Sequence, residues 1–355
     1  MWEEVEPRKY SYDITPWALV QAIMIAFAAR LSGLRDITEF CAHLLHTRNF
    51  SSLSHALSRA SFLAFVRLLV EIVECTYRPG KNDIVAIDGM AVTLPKTQRH
   101  NCEKFNDKTV GGGVVWSYMV TAARGVCPVK VLKVVQGAWH DTVIMRGIKL
   151  IARGPLYLMD RGFYCYELME QWVADKVRFI VRIKERSFSH EALRTVGKPR
   201  RHGALRILLD VEARLGKADG KHRPLVRLVI ALLADGEKLI LATNQYGWSA
   251  ETILDTYDLR WHIERFHRFL KDTLGLAHLY SFSQTGIEFL IYTALLSALL
   301  LFFADKNPSG ETIHILRRML RLVRRALGLG TPWKRNTFSP RRAKGKSAKD
   351  NAKNH

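Results

Sequence analysis

The hydrophobic pattern divides the chain into stretches of different period. Between residues 13 and 76 apolar positions recur with helical spacing. Trp17, Leu19, Val20, Ala22, Ile23 and the run Ile25–Leu31 predict one helix, closed at Gly33. Ile37–Leu45 predicts a second, amphipathic helix. Ser51 and Ser52 predict caps for a further helical pattern running to about Glu74. Short helices joined by turns with polar Ser, His and Arg positions suit a helix-turn-helix DNA reader and a plain helical cap equally.

From Lys81 the apolar runs shorten to strand length. Asp83–Asp88 (DIVAID) lies between the turn residues Gly80 and Gly89, and places Asp88 at a strand end. Val114–Ala123 and Val129–Val135 predict two more strands, separated by Arg124-Gly125. Thr142–Ala152 reads as a helix capped by Asp141, Leu156–Met159 as a strand ending in Asp160, Tyr164–Asp175 as a helix, and Val177–Ile183 as a strand. This order predicts an α/β fold with a mixed sheet. Residues 184–246 turn basic and strand-rich (Ala204–Val211, Leu225–Leu233, Lys238–Ala242), which predicts an all-β insertion. One long helix, Ala250–Gly275, and an apolar helix, Ile287–Ala304, follow. The tail beyond Pro332 is basic, poor in large apolar residues and expected to be disordered. The predicted organisation is therefore a helical, DNA-reading or capping segment (1–80), an α/β domain (81–330) holding the insertion, and the tail (331–355).

Charge adds a partner. Fifty-four Lys and Arg against thirty-three Asp and Glu give +21, and a polyanion such as double-stranded DNA accounts for the excess most simply, because each phosphate contact releases counterions. The five cysteines (Cys41, Cys75, Cys102, Cys127, Cys165) contain no C-x-x-C pair, so neither a zinc site nor a disulfide framework is indicated, and a reducing cytoplasm is the expected setting. The N-terminus shows no apolar signal region. Ile287–Ala304 is almost long enough to span a bilayer, but Glu288, Tyr292, Thr293 and Ser297 favour a buried core helix, so no membrane is expected. No nucleotide-triphosphate motif is present, and Gly111–Gly113 reads as a turn.

Carboxylates at strand ends are the first chemical candidates. Asp88 and Asp160 both follow apolar strands, where burial of a charge costs energy unless something pairs with it and where ligands sit in open α/β sheets. Either alone reads better as a turn cap. The predicted helix Ala250–Gly275 adds Tyr257, Arg260, Glu264 and Lys271, three, seven and fourteen residues from the first. At about 100° per residue these fall near 300°, 340° and 320°, one narrow face. Trp261, Phe266 and Phe269 point elsewhere and predict a separate core side. His262 and His267 fall off the stripe and suit backbone or DNA contacts. Arg161 reads as a local partner of Asp160 or a DNA contact, and His140-Asp141 as a helix cap rather than a metal site.

The spacing Y-(2)-R-(3)-E-(6)-K, with IDGMAVTLPKT around Asp88 and LMDRGFYCYELMEQW around Asp160, resembles the DDE transposases of bacterial insertion sequences, of the IS-four type. The resemblance runs from about Ser32 to Phe303. It implies a ribonuclease H-like mixed sheet with flanking helices, interrupted by the β insertion that fills the 103 residues between Asp160 and Glu264. It implies Asp88, Asp160 and Glu264 as catalytic metal ligands. Oxygen-only carboxylates suit Mg²⁺ or Mn²⁺, and two ions about 3.5–4 Å apart serve hydrolysis and strand transfer alike. Tyr257, Arg260 and Lys271 would bind phosphates near the element's end. A homodimer joining two ends, inverted-repeat and target DNA as substrates, and no nucleotide cofactor complete the expectation. Only Phe179 and Phe188 are aromatic between Arg178 and Gln245, which leaves open the hairpin route that relatives take with a flipped base. A nuclease of the same fold without integration and a catalytically dead DNA-binding descendant are the alternatives.

Overall fold

The computed structural model describes residues 14–75, 79–91, 104–105, 109–110, 114–122, 125–135, 141–185, 189–276, 279–281 and 283–304, with the backbone course alone for 91–135. The basic tail, the Gly111–Gly113 turn and His140 lie outside the described residues.

Five helices open the chain: α1 (Pro16–Ala29), α2 (Leu34–Phe40), α3 (Ala42–Leu45), α4 (Phe50–Leu57) and α5 (Ala60–Cys75). Thr15 caps α1 by accepting from the Ala18 N–H at 3.1 Å. Asn49, not a serine, caps α4, accepting from the Ser51 N–H at 2.9 Å, so Ser51 and Ser52 belong to the first turn. The last described helix, α10 (Gln284–Ala304), packs on α1, α4 and α5. Phe289, Leu290, Ile291, Ala294 and Ala298 are fully buried. α10 is long and apolar enough to cross a membrane, but here its faces are covered by the chain's own helices.

The strands are β1 (Ile84–Ala91), β2 (Lys104–Phe105), β3 (Thr109–Val110), β4 (Val114–Ala122), β5 (Gly125–Val135), β6 (Leu156–Met159), β7 (Arg178–Arg182), β8 (His190–Gly197), β9 (Arg200–His202), β10 (Leu205–Leu215), β11 (Leu225–Leu232) and β12 (Lys238–Thr243). Ten form one sheet ordered β5-β4-β1-β6-β7-β12-β11-β10-β8, with β9 beside β10. β1, β6 and β7 run parallel, and the remaining described pairings are antiparallel, the mixed sheet expected. Helix α6 (Asp141–Arg146) and α7 (Tyr166–Ala174) lie on one face, with α8 (Ala250–Asp258), α9 (Trp261–Asp272) and α10 on the other.

Several boundaries differ from the expectation: Ile37–Leu45 falls on two helices, α2 and α3, the pattern from Ser51 to Glu74 on α4 and α5, and β5 begins at Gly125. Three further differences lie nearer the site. α6 stops at Arg146, because Gly147 ends it and the chain must turn before Pro155 to enter β6. β1 continues past Asp88 to Ala91, so Asp88 lies inside the strand; β4 pairs with it throughout, Asp88 opposite Ser117, whereas parallel β6 ends at Ile87↔Met159. The long helix of 250–275 is two helices. At Leu259 and Arg260 the dihedrals stay helical, but the N–H groups of Leu259, Arg260, His262 and Ile263 reach carbonyls three residues back, a 3₁₀ tightening.

The segment expected as an insertion supplies β8–β12, and these extend the sheet from β7. The seam is short, three register pairs from Leu241↔Arg182 to Thr243↔Ile180. Asn244 then acts as a backbone mimic: its Oδ1 accepts from the Phe179 N–H at 3.2 Å and its Nδ2 donates to the Val177 carbonyl at 2.7 Å. Asn244→Ala is expected to destabilise the fold by roughly 1–3 kcal/mol, since two partly buried backbone groups lose partners; an unchanged urea midpoint would show the seam does not depend on it.

Candidate active site

Register brings the two aspartates together. Ile87 and Met159 are partners on parallel strands, so Asp88 and Asp160 occupy the next position of each, roughly one strand spacing of ~4.8 Å apart along the sheet. Alternation turns both toward the face covered by α8 and α9: Ala86, Met90 and Leu158 enter the core there, while Val85, Ile87 and Met159 enter the opposite one.

The helices supply the rest. From α8, the Tyr257 hydroxyl donates to Asp160 Oδ1 at 3.4 Å. Arg260 is 4% exposed and its Nη1 lies 2.7 Å from Glu264 Oε1. Its guanidinium stacks 5.7 Å from the Tyr257 ring and 5.5 Å from Trp261, and its Nε is buried without a hydrogen-bond partner. Phe266 and Phe269 anchor α9 in the core as expected, but Trp261 is 54% exposed at the mouth of the site. His267 is also displaced from its expected place. At about 100° per residue from Tyr257, His267 falls near 280°, beside Arg260 and Lys271 rather than off their face, and it is buried with Nδ1 3.8 Å from Asp88 Oδ2.

Electrostatics follow from this packing. Burial pushes the Asp88 carboxyl up to about 7; Arg260 and a hydrogen bond from the Gly89 N–H oppose the rise, and Asp160 and Glu264 add to it. Burial, then the nearby Lys271, hold His267 down to about 3, so its imidazole is neutral. Burial lowers Lys271, with Asp272 and Asp88 pulling the other way. Tyr257 is raised by burial and by Asp160. At Arg260 burial works downward, but Tyr257, Asp160 and Glu264 outweigh it and the group is raised. Asp88, Asp160, Glu264, Tyr257, Arg260 and Lys271 thus share one electrostatic neighbourhood.

The donor set suits a divalent cation. Three hard carboxylates share this neighbourhood, and burial raises the Asp88 carboxyl despite Arg260 and the Gly89 N–H. Among the described residues no three acidic, His or Cys side chains converge closely enough to hold one ion, and Glu264 is engaged by Arg260. Asp88, Asp160 and Glu264 suit the ion by their chemistry, while as placed here they do not converge on one ion.

Arg161 sits in a 3₁₀ turn (Arg161–Phe163) directly after Asp160. It lines a cleft of about 580 Å³ together with Arg182, Ile183, Lys184, Glu185, Glu237 and Lys238. Arg182 pairs with Glu237 at 2.5 Å and Lys238 with Glu185 at 2.8 Å. Arg161 and Lys184 make no ion pair among the described residues. Sequence reasoning did not single out the cleft residues Arg182, Lys184 and Lys238, which position brings together at the carboxyl end of one strand and the start of its neighbour.

Comparison with known proteins gives the family. The profile of the family described as "Transposase DDE domain" matches residues 79–300. The chain is 25% identical over 191 residues to a probable transposase for insertion sequence element IS5377 of Geobacillus stearothermophilus, covering 53% of this chain and 49% of that protein. It is 27% identical over 196 residues to the putative transposase y4zB of Sinorhizobium fredii, covering 54% and 53% respectively. The chain therefore spans about half the length of the curated relatives it matches. A solved structure of the piggyBac transposase synaptic complex with hairpin DNA aligns with 90% of this chain and 73% of that one, at 10% identity and a TM-score of 0.42, too low to carry an argument. With the family profile covering well over half of its residues, the chain belongs to the transposase DDE domain family.

Proposed function

We propose that the chain is the transposase of an insertion sequence, of the IS-four type, which cuts DNA at the element's terminal inverted repeats and joins those ends to target DNA. One observation carries the reading: Asp88 and Asp160 stand at adjacent positions of parallel strands, facing Glu264, under the cations Arg260 and Lys271. The sheet order β5-β4-β1-β6-β7, with the first three strands antiparallel neighbours and the last three parallel, supports a ribonuclease H-like core. On that reading β8–β12 are an all-β insertion, and 1–80 is a DNA-binding helical domain.

Asp88, Asp160 and Glu264 would hold Mg²⁺ or Mn²⁺, two ions in this reading. Bound there, the metal supplies Lewis-acid activation of a water or 3′-hydroxyl and stabilises the leaving oxygen. The chain's own groups do the rest. Arg260, buried and already raised, keeps a fixed positive charge for a phosphate and offers a bidentate fork once Glu264 turns away. Tyr257 holds Asp160 and presents its ring to the cleft. Lys271, with Asp88 nearby, adds a second charge for phosphate binding. The neutral His267 and the core residues Phe266 and Phe269 fix α9 beside β1 and exclude water from behind Asp88. Two copies holding two DNA ends form the active assembly, in the bacterial cytoplasm and without a nucleotide cofactor.

Labelled DNA bearing the element's own ends tests the reading, with Mg²⁺ and with wild type beside Glu264→Gln. Wild type is expected to cut at the ends. The variant loses on the order of a thousand-fold in cutting, several kcal/mol of barrier, while still binding the ends. Equal cutting by both would remove Glu264 from the site. Binding without cutting by either would make the chain an inactive DNA-binding descendant, and cutting without joining a nuclease.

A further inference from the structure

Strand register places two arginines against each other at the outer end of the sheet. Arg201 of β9 and Arg206 of β10 are direct partners. Both are exposed, and neither makes an ion pair among the described residues. Like charges directly opposed across strands destabilise a sheet, so the pair needs a reason. Its neighbours on β9 show the contrast. Arg200 and His202, on the other face, are each satisfied by α8, through Glu251 at 2.9 Å and Asp255 at 2.7 Å. One face of the hairpin is thus bound to the helix that delivers Tyr257, and the other presents two uncompensated guanidinium groups.

Their position in the sheet is the second observation. Residues paired in register share a face, and Arg201↔Arg206, Arg206↔Leu232 and Leu232↔Lys238 form one row across four strands. That row ends at Lys238, which lines the cleft of about 580 Å³ with Arg161, Arg182 and Lys184. Glu185 and Glu237 in that cleft are already paired, to Lys238 and Arg182. The cleft opens beside Asp160, at the end of the sheet where β6 and β7 finish. Arg206 and Arg201 stand four and five strands from β6, about 20 Å at ~4.8 Å per strand. They lie on the sheet face opposite Asp160 but toward the same end of the sheet, where β6 and β7 finish.

The geometry points to a phosphate clamp: Arg201 and Arg206 bind the backbone of duplex DNA some six base pairs (about 3.4 Å each) from the phosphate at Asp160, with the basic cleft as the path between. The inference rests on the proposed DNA-cutting function and adds residues and a contact distance to it. A backbone contact of this kind sets register on the duplex without reading its sequence. The net charge of +21 favours DNA over an acidic protein segment as the occupant.

The test is the salt dependence of binding to duplex DNA carrying the element's end. It compares wild type, the double variant Arg201→Gln/Arg206→Gln, and Arg214→Gln, which removes one charge from an exposed position at the opposite end of β10. The double variant is expected to lower the log–log salt slope by about 2 and the affinity by about ten-fold or more. Ethylation interference is expected to lose its signal about six base pairs from the cut. Tm is expected to hold or rise, because a repulsion has been removed. Arg214→Gln is expected to change none of these by a comparable amount. A fall in Tm accompanying the lost affinity would mean a structural role and overturn the clamp. So would an equal slope change in Arg214→Gln, which would reflect net charge alone. An unchanged slope in the double variant, with wild type binding and cutting, overturns the clamp and leaves the function standing. A double variant that loses self-association without a change in slope assigns the patch to a second copy. Absence of duplex binding by wild type overturns both readings.

Discussion

Asp88→Asn is expected to stabilise the metal-free protein above pH 7 while removing metal-dependent DNA cutting by on the order of a thousand-fold. The stability effect follows from linkage. The Asp88 carboxyl, ordinarily near 3.8, is pushed up to about 7 in the fold, mainly by burial. Between those values the folded state binds more protons than the unfolded state, so stability falls as pH rises through the window and the penalty is complete above 7. The full shift corresponds to ~4 kcal/mol. The side chain retains 21% exposure, so solvent screening reduces the expected penalty to about 2 kcal/mol. Asparagine removes the charge and with it the penalty, and the two proteins should have equal Tm near pH 4 and diverge toward pH 8. Added Mg²⁺ should stabilise wild type and leave the variant unmoved. Parallel Tm–pH curves would show that Asp88 is compensated by something other than an absent cation.

Asp210→Asn should be the most damaging change away from the site. Asp210 and Arg227 are 1% and 2% exposed and bond twice, at 2.9 and 3.0 Å. Arg227 also donates to the carbonyls of Tyr246 (3.2 Å) and Trp248, in the loop leading into α8. Removing the carboxylate charge leaves a guanidinium buried with only neutral partners, a loss of about 3–5 kcal/mol. The pair itself has little net worth against well-packed apolar side chains, so Asp210→Leu/Arg227→Met should recover most of the loss. Urea unfolding of the single and double variants checks both statements. A double variant as unstable as the single one would show that the hydrogen bonds to Tyr246 and Trp248 carry the energy instead.

Much of the site was legible along the chain because its parts are local. The apolar runs before Asp88 and Asp160 are strands whatever covers them, and Y-(2)-R-(3)-E-(6)-K is a spacing that survives small changes in helix geometry. What periodicity could not report was the neighbour of each element. Asp88 reads as a strand end because the apolar run stops there, yet β4 holds the strand straight for three more residues. Trp261 reads as core by composition and is half exposed, while His267 reads as peripheral and is buried against Asp88. Neither misreading needs the turn at Leu259–Arg260: counted at about 100° per residue from Tyr257, Trp261 falls near 40° and His267 near 280°, both closer to the Tyr257 stripe than Phe266 near 180° and Phe269 near 120°.

By itself, then, the sequence determined the order of elements, the carboxylate and cation types available, and the strong positive charge. These depend on local propensity and on side-chain chemistry that no packing alters. Only the tertiary structure decided that Asp88 and Asp160 are register neighbours, that β8–β12 extend the same sheet, and that Arg201 opposes Arg206. Strand pairing joins residues far apart in the chain through backbone hydrogen bonds, which carry no mark in the side chains that a linear reading can see.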